Sequence, residues 1–309
     1  MTKRLFIFAG YDRDGMVDDT LLYYLNHLSG LGDIVFTMDT DLSDGELAKI
    51  QGISHVLHAT AKRHGEYDFG SYKRGYAWAR DNKLLNKYDW VYLVNDSVFG
   101  PLFDLTPALN KLETSGADFT GAVRCTDIAL PNHIQSWFVG LKRKLAASEL
   151  FNEFISNINH QNEKSLYVFK YEMRMTQMLQ QHGFTSFALA DDSDNYIYST
   201  PYKLIHAGLP FLKKLSVSHR HQIQNLYSYT DMDLVKMIIQ YATRHGISLR
   251  DDRHPFDEPY NKHSRLTIFS IPVVTVYRKC QQNNIAYKIC LFDKIPVCKF
   301  THTIVGARK

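Results

Sequence analysis

The chain is short of the features that usually fix a function by inspection. Four cysteines (Cys125, Cys280, Cys290 and Cys298) occur in 309 residues, and their spacing matches no metal-ligand pattern. Without a secretion signal they read as reduced thiols. Met1-Thr2-Lys3-Arg4 leads into only a short apolar stretch before Gly10, too brief for the apolar region of a signal peptide. No run approaches the roughly 20 apolar residues that a membrane span needs. A cytoplasmic protein is therefore expected. Internal repeats, a P-loop, a G-x-G-x-x-G turn, an H-E-x-x-H helix and zinc spacings are all missing, so the functions tied to them have no support.

Net charge is also small, at +4, but it is unevenly distributed. Residues 261–309 hold nine Lys/Arg against one acid, Asp293, which leaves 27 bases against 31 acids in residues 1–260. A near-neutral body with a basic end points to a polyanionic partner, either a membrane or a nucleic acid. The bases are scattered among apolar residues and the body is net acidic, so anionic lipid is preferred and no nucleic acid is expected. The expected division is a main domain over 1–260 and a basic extension over 261–309. Within the extension, Lys288–Phe292 and Ile295–Phe300 read as a short hairpin, equally readable as a solvated decoration.

What the chain does have is an ordinary globular composition, 45% apolar and 22% charged, with 19 Tyr and 18 Phe. Its organising stretch is Trp90–Leu102. Trp90-Val91-Tyr92-Leu93-Val94 is the unbroken apolar run of a strand buried on both faces. Asn95-Asp96-Ser97 follows at once, where open α/β sheets place their ligand crevice. Asp96 there either holds a metal and a phosphate or caps the next turn. Upstream, strands over Lys3–Ala9 and Asp33–Met38 flank a helix begun by Asp18-Asp19 and stopped by Gly30. The alternation of strand and helix predicts a doubly wound, mainly parallel sheet.

The segment His64–Tyr76 reads as a loop entering a helix that runs to about Asn86, with Asp68 near its start. Gly70 would let the backbone pass close to a ligand, and Lys73 and Arg74 would reach a diphosphate at the positive helix end. The alternative is a capped helix with solvated basic residues. Farther on, Pro107–Ser115 and Val168–His182 read as helices. Met175 and Met178 serve as core filler in the second, and Glu172 is either a general base in a cleft or an exposed helical residue. His133 is either an acceptor-site hydrogen-bonder or plain structure. Asp191-Asp192-Ser193-Asp194 is a solvated turn or a cation-binding cluster, and a Pro-rich loop (His254-Pro255, Glu258-Pro259) closes the body.

Six segments in order carry a resemblance: IFAGYDRDGMVDDTLLYYLNHL (7–28), HGEYDFGSYKRGY (64–76), YDWVYLVNDSVFGPL (88–102), HIQSWF (133–138), YEMRMTQMLQQHGF (171–184) and GLPFLKK (208–214). Over residues 5–215 the chain resembles the bacterial rhamnan-synthesis protein F family of polysaccharide glycosyltransferases. The resemblance implies a Rossmann-like, GT-A-type domain that binds a nucleotide-sugar and sets a lipid-linked glycan acceptor against it. The place of action would be the cytoplasmic face of the inner membrane, in building a surface polysaccharide or lipopolysaccharide O-antigen, with rhamnose one donor sugar. It places Asp68, Gly70, Ser71, Lys73 and Arg74 at the donor, with Asn95 and Ser97. Asp96 stands where such enzymes carry a metal-binding Asp-x-Asp, but Asn95-Asp96-Ser97 offers one carboxylate instead of two. Mg²⁺ or Mn²⁺ is thus expected on Asp96, partly helped by Ser97, or else Lys/Arg takes its place. His133, Gln135 and Ser136 would face the acceptor or the transferred sugar. Glu172 is the favoured general base, over Glu66 and His133. A non-catalytic glycan- or nucleotide-binding subunit of an assembly complex is the competing reading.

Overall fold

The computed structural model describes residues 2–127, 130–217, 226, 228–247 and four strands between 261 and 303. The first half alternates strand and helix: β1 (Arg4–Gly10), α1 (Asp19–Ser29), β2 (Asp33–Met38), α2 (Asp44–Gln51), β3 (Val56–Ala61), α3 (Tyr67–Asp81) and β4 (Trp90–Asn95). These strands pair in parallel in the order β3-β2-β1-β4. α1 starts where the sequence says it should, because the Asp18 side chain accepts from the Leu21 amide at 2.9 Å and caps the first turn. α3 ends at Asp81 and does not run on to Asn86. Lys83 takes a left-handed φ of 57°, which stops it there.

The second half departs from a purely parallel plan. Its elements are β5 (Val98–Phe99), α4 (Thr106–Glu113), β6 (Phe119–Cys125), β7 (His133–Ile134), β8 (Phe138–Lys142), α5 (Arg143–Ala146) and α6 (Glu149–Ser156). β8 lies between β4 and β6 and is antiparallel to both. The return from β6 to β8 contains no crossover helix, and a return without one delivers an antiparallel strand. α7 (Lys164–Tyr167) then runs through a π-helical turn, Val168–Met173, into α8 (Arg174–Gln181). β9 (Ser186–Asp192) restores parallel pairing, against β6. α9 (Tyr196–Ser199), α10 (Tyr202–His206), β10 (Leu212–Lys213) and α11 (Met232–Arg244) follow. The sheet is thus mixed and mostly parallel.

Helices cover both faces. On β1, Phe6 and Phe8 join Leu21, Tyr24 and Leu25 of α1, while Leu5 and Ile7 join Tyr72 and Tyr76 of α3. This is the period-two alternation of a strand. Each such fully buried side chain contributes roughly 1.5–3 kcal/mol. Met175 and Met178 do fill core. Cys125 is a free thiol; the side chains of the other three cysteines, and the loop over 254–259, lie outside the described residues.

The described residues fall into two compact units, one up to residue 247 and one that holds the last four strands. The latter are β11 (Asn261–Ile268), β12 (Ile271–Gln281), β13 (Asn284–Leu291) and β14 (Ile295–Thr303), an antiparallel meander. The hairpin expected around residues 288–300 is its β13–β14 pair. Among the described residues no helix is long and apolar enough to cross a membrane.

Candidate active site at the carboxyl ends of the strands

Past β4 the chain still alternates, so its three polar residues divide between two sides. Asn95 and Ser97 face a cavity of about 190 Å³ that Asp68, Gln135, Ser136, Glu172 and Lys213 also line. Tyr67, Trp137, Tyr167 and Tyr198 form its aromatic walls. Asn95 donates to Asp68 Oδ2 at 3.0 Å and accepts from the Ser97 hydroxyl at 2.6 Å. Asp96 turns the other way and accepts from the Tyr11 amide at 3.0 Å.

Glu172 reaches the cavity because the π-helical turn carries it there; such turns are concentrated at functional sites. Burial alone would raise its pKa, but hydrogen bonds from His133 and from the Ser136 hydroxyl and amide outweigh it and hold the carboxyl below its ordinary value. His133 stands behind Glu172 and is itself buried. Its Nδ1 donates to the Pro131 carbonyl at 2.7 Å, and its Nε2 lies 3.3 Å from Glu172 Oε1. Both ring nitrogens face acceptors, an arrangement that favours the imidazolium form beside the Glu172 carboxylate. Burial lowers the pKa of His133, but the Glu172 and Pro131 bonds raise it further, above its ordinary value.

Asp68 is different. Burial and then the charge of Glu172 raise its pKa, against the Phe69 amide, Lys213 and the Asn95 amide. The two carboxylates of one cavity are thereby pushed apart, the pattern that separates a proton carrier from a fixed charge.

Lys213 is the cation that sequence reasoning missed. β10 pairs antiparallel with β5, Lys213 opposite Val98. Gly100 lets them approach: at φ +147° it has no side chain, and a Cβ would lie 2.7 Å from the Pro210 carbonyl. Lys213 Nζ donates to the Ser97 hydroxyl at 2.8 Å and lies 4.9 Å from the Trp137 ring centre. Burial lowers its pKa to about 8, opposed by Glu172 and Asp68. The only advance signal was its membership of the GLPFLKK segment.

Four residues expected at the donor lie off this cavity. Gly70 makes room for Glu66 Cβ and the His64 ring, which an added Cβ would meet at 2.3 and 2.8 Å. Ser71 is buried and bonded to His64 Nε2 at 3.0 Å. Lys73 donates to the Ile158 carbonyl at 2.6 Å, and Arg74 pairs with Glu66. Asp191 lies 3.6 Å from Arg124, and Asp192 is spent on the turn before α9, accepting from the Tyr196 amide at 2.7 Å.

Asp96 shares its side of the sheet with Asp12 and Asp18, and with Lys214, whose charge opposes the burial that pushes Asp96 up to about 6. These residues do not fit a resident divalent ion. Asp96 gives one oxygen to Tyr11, and Arg244 Nη2 already lies 2.5 Å from Asp12 and 3.2 Å from Asp18.

A mixed, mostly parallel α/β sheet with a polar, aromatic-walled cavity at its carboxyl ends defines an α/β domain of the doubly wound class. The family model for rhamnan synthesis protein F matches residues 34–247, and the chain belongs to that family. Membership ties it to rhamnan or polysaccharide synthesis. The chain is also similar to an uncharacterized protein, y4gN, of Sinorhizobium fredii (strain NBRC 101917 / NGR234), at 23% identity over 178 residues. That match covers 56% of this chain and 45% of the relative, so the chain spans less than half the length of that protein.

Proposed function

We propose that the protein is a GT-A-like glycosyltransferase that moves a sugar from a nucleotide-sugar, dTDP-rhamnose being the first to try, to a lipid-linked polysaccharide. The observation that carries this reading is the cavity itself, in which two carboxylates of opposed proton affinity and one buried ammonium face each other between aromatic walls. Flat, amphipathic rings suit the faces of a sugar, and carboxylates suit its hydroxyls.

In this reading Asp68 accepts the proton of the attacking hydroxyl, because Glu172 takes three hydrogen bonds against two on Asp68 and holds protons poorly. Glu172 instead stays ionised and fixes Ser136 and His133 around the acceptor. Gln135, whose Oε1 accepts from the Trp137 indole at 2.8 Å, holds that wall in place. The basic strands beyond residue 261 are assigned to the anionic inner membrane, on its cytoplasmic face. Deleting them should weaken liposome binding and leave nucleotide binding intact.

The deciding experiment is nucleoside-diphosphate release across a panel of nucleotide-sugars, with and without Mn²⁺. Slow hydrolysis of one donor supports the reading. Binding of a donor without turnover, even with acceptor lipid present, would favour a non-catalytic subunit.

A further inference from the structure

We propose that Lys213 is the group that receives the departing phosphate of the donor, taking the part a divalent metal plays in related chemistry. The inference rests on the glycosyl-transfer reading above.

An ammonium group carries three donors. Lys213 is 7% exposed, yet the only hydrogen bond of its ammonium among the described residues is the one to Ser97. Two N–H groups are thus left facing a cavity, and buried donors without acceptors are costly, more so on a charged group. Nor is the charge cancelled by contact. Glu172 and Asp68 are its foremost acidic neighbours, but neither bonds to it. Ligand oxygens would satisfy both donors.

The position is also rigid. β10 is tied to β5 on both sides of Lys213: the Lys214 amide donates to the Ser97 carbonyl at 3.0 Å, and the Leu102 amide donates to the Pro210 carbonyl at 2.8 Å. The Trp137 ring lies beneath the ammonium. A fixed charge aimed at a developing one is the arrangement that lowers a transfer barrier. Asp96, the residue placed to hold an ion, is turned to the other side of the strand, with its neighbouring acids already paired with Arg244.

The acceptor oxygen bonds to the anomeric carbon, and the bond from that carbon to the phosphate oxygen breaks. The electron pair stays on the phosphate oxygen, where Lys213 N–H groups bind it. The acceptor proton passes to Asp68, and Lys213 keeps its own protons throughout.

The test uses the full chain as wild type, Lys213→Ala, Lys213→Met and Lys213→Arg. Turnover of the donor found in the panel is followed in EDTA, and binding of nucleoside diphosphate and of the bare nucleoside by calorimetry. The expected result is wild-type activity indifferent to EDTA, a fall in kcat of about 10²–10³-fold in the Ala and Met variants, and partial recovery in the Arg variant. Added ethylammonium should partly restore Lys213→Ala. Affinity for the nucleoside diphosphate should fall at least about tenfold, while that for the nucleoside holds. Wild-type activity abolished by EDTA and restored by Mn²⁺ would overturn the proposal, as would full turnover in folded Lys213→Met. If wild type turns over no donor, glycosyl transfer fails, and the binding titrations still decide Lys213: equal diphosphate affinity in wild type and Lys213→Met would overturn it.

Discussion

Lys213 and Lys214 are adjacent in the chain and serve opposite sides of it. The first donates to Ser97 within the cavity; the second lies 4.5 Å from the Tyr241 ring centre and acts on Asp96. Asn95-Asp96-Ser97 divides in the same way. The two paired segments therefore form a partition, with Lys213 and its polar partners on one side and Lys214 and Asp96 on the other.

Asp96→Asn should separate stability from activity. Asp96 has its folded pKa raised from an ordinary 3.8 to about 6, so the native state binds more protons than the unfolded state between those values. Wild-type stability then falls as pH rises through that window. The variant keeps an acceptor for the Tyr11 amide without the buried charge. It should melt higher than wild type at pH 8, by no more than roughly 3 kcal/mol in stability, and about equally at pH 4. Melting curves across that range check it; a lower melting temperature at pH 8 would show that Lys214 depends on the charge.

The Glu172–His133 pair sets a second pH window. Glu172 has its pKa lowered from 4.5, so its contribution is complete above that value and is lost as pH falls through the folded pKa. His133 has its pKa raised from 6.5, so its contribution is complete below that value and is lost as pH rises through the folded pKa. Both are intact between pH 4.5 and 6.5. Glu172→Gln should cost about 3 kcal/mol there, and progressively less as pH rises above 6.5 through the folded pKa of His133, by urea unfolding. A cost independent of pH would mean that the ring is not charged.

Asp68→Asn addresses the proton. Its side-chain oxygen can still meet the Asn95 amide, so the cavity should persist. We expect kcat to fall about 10²–10⁴-fold with KM nearly unchanged, and the acidic limb of the wild-type pH profile to disappear. A larger effect on KM than on kcat would assign Asp68 to binding alone.

Arg244→Met would expose what the guanidinium now holds together. Asp12, Asp18 and His245 bring ligand atoms within 4.8 Å of one another. Without Arg244 the variant should lose about 3 kcal/mol and recover part of it with Mn²⁺, seen as a rise in melting temperature. Wild type should show no such rise.

The first half of the fold was legible because its signals are local. Asp18 caps α1, Gly30 closes it, and the apolar runs of β1, β2 and β4 are long enough to declare a period. Asp68, Asn95, Ser97, Gln135, Ser136 and Glu172 all stand out in the sequence, and all line one cavity. Lys213 was not, because a two-residue strand has no period to read and its partner lies more than a hundred residues upstream. Lys73 and Arg74 were expected at a phosphate on charge alone. Sequence could not show that the Ile158 carbonyl and Glu66 already engage them. The antiparallel β8 was equally hidden, since strand direction depends on the path of the return and not on the strand's own residues.

The π-helical turn at Val168–Met173 acts as a phase shifter. It holds one residue more than an α-helical turn would, and each residue of an α-helix advances the side chains by about 100°. Removing a single residue from it would leave the apolar stripe of α8 seated in the core and swing Glu172 away from His133. The length of this turn thus fixes the angular setting of the cavity's carboxylate, together with that of Tyr171 and Met173, which the same turn sends into the core.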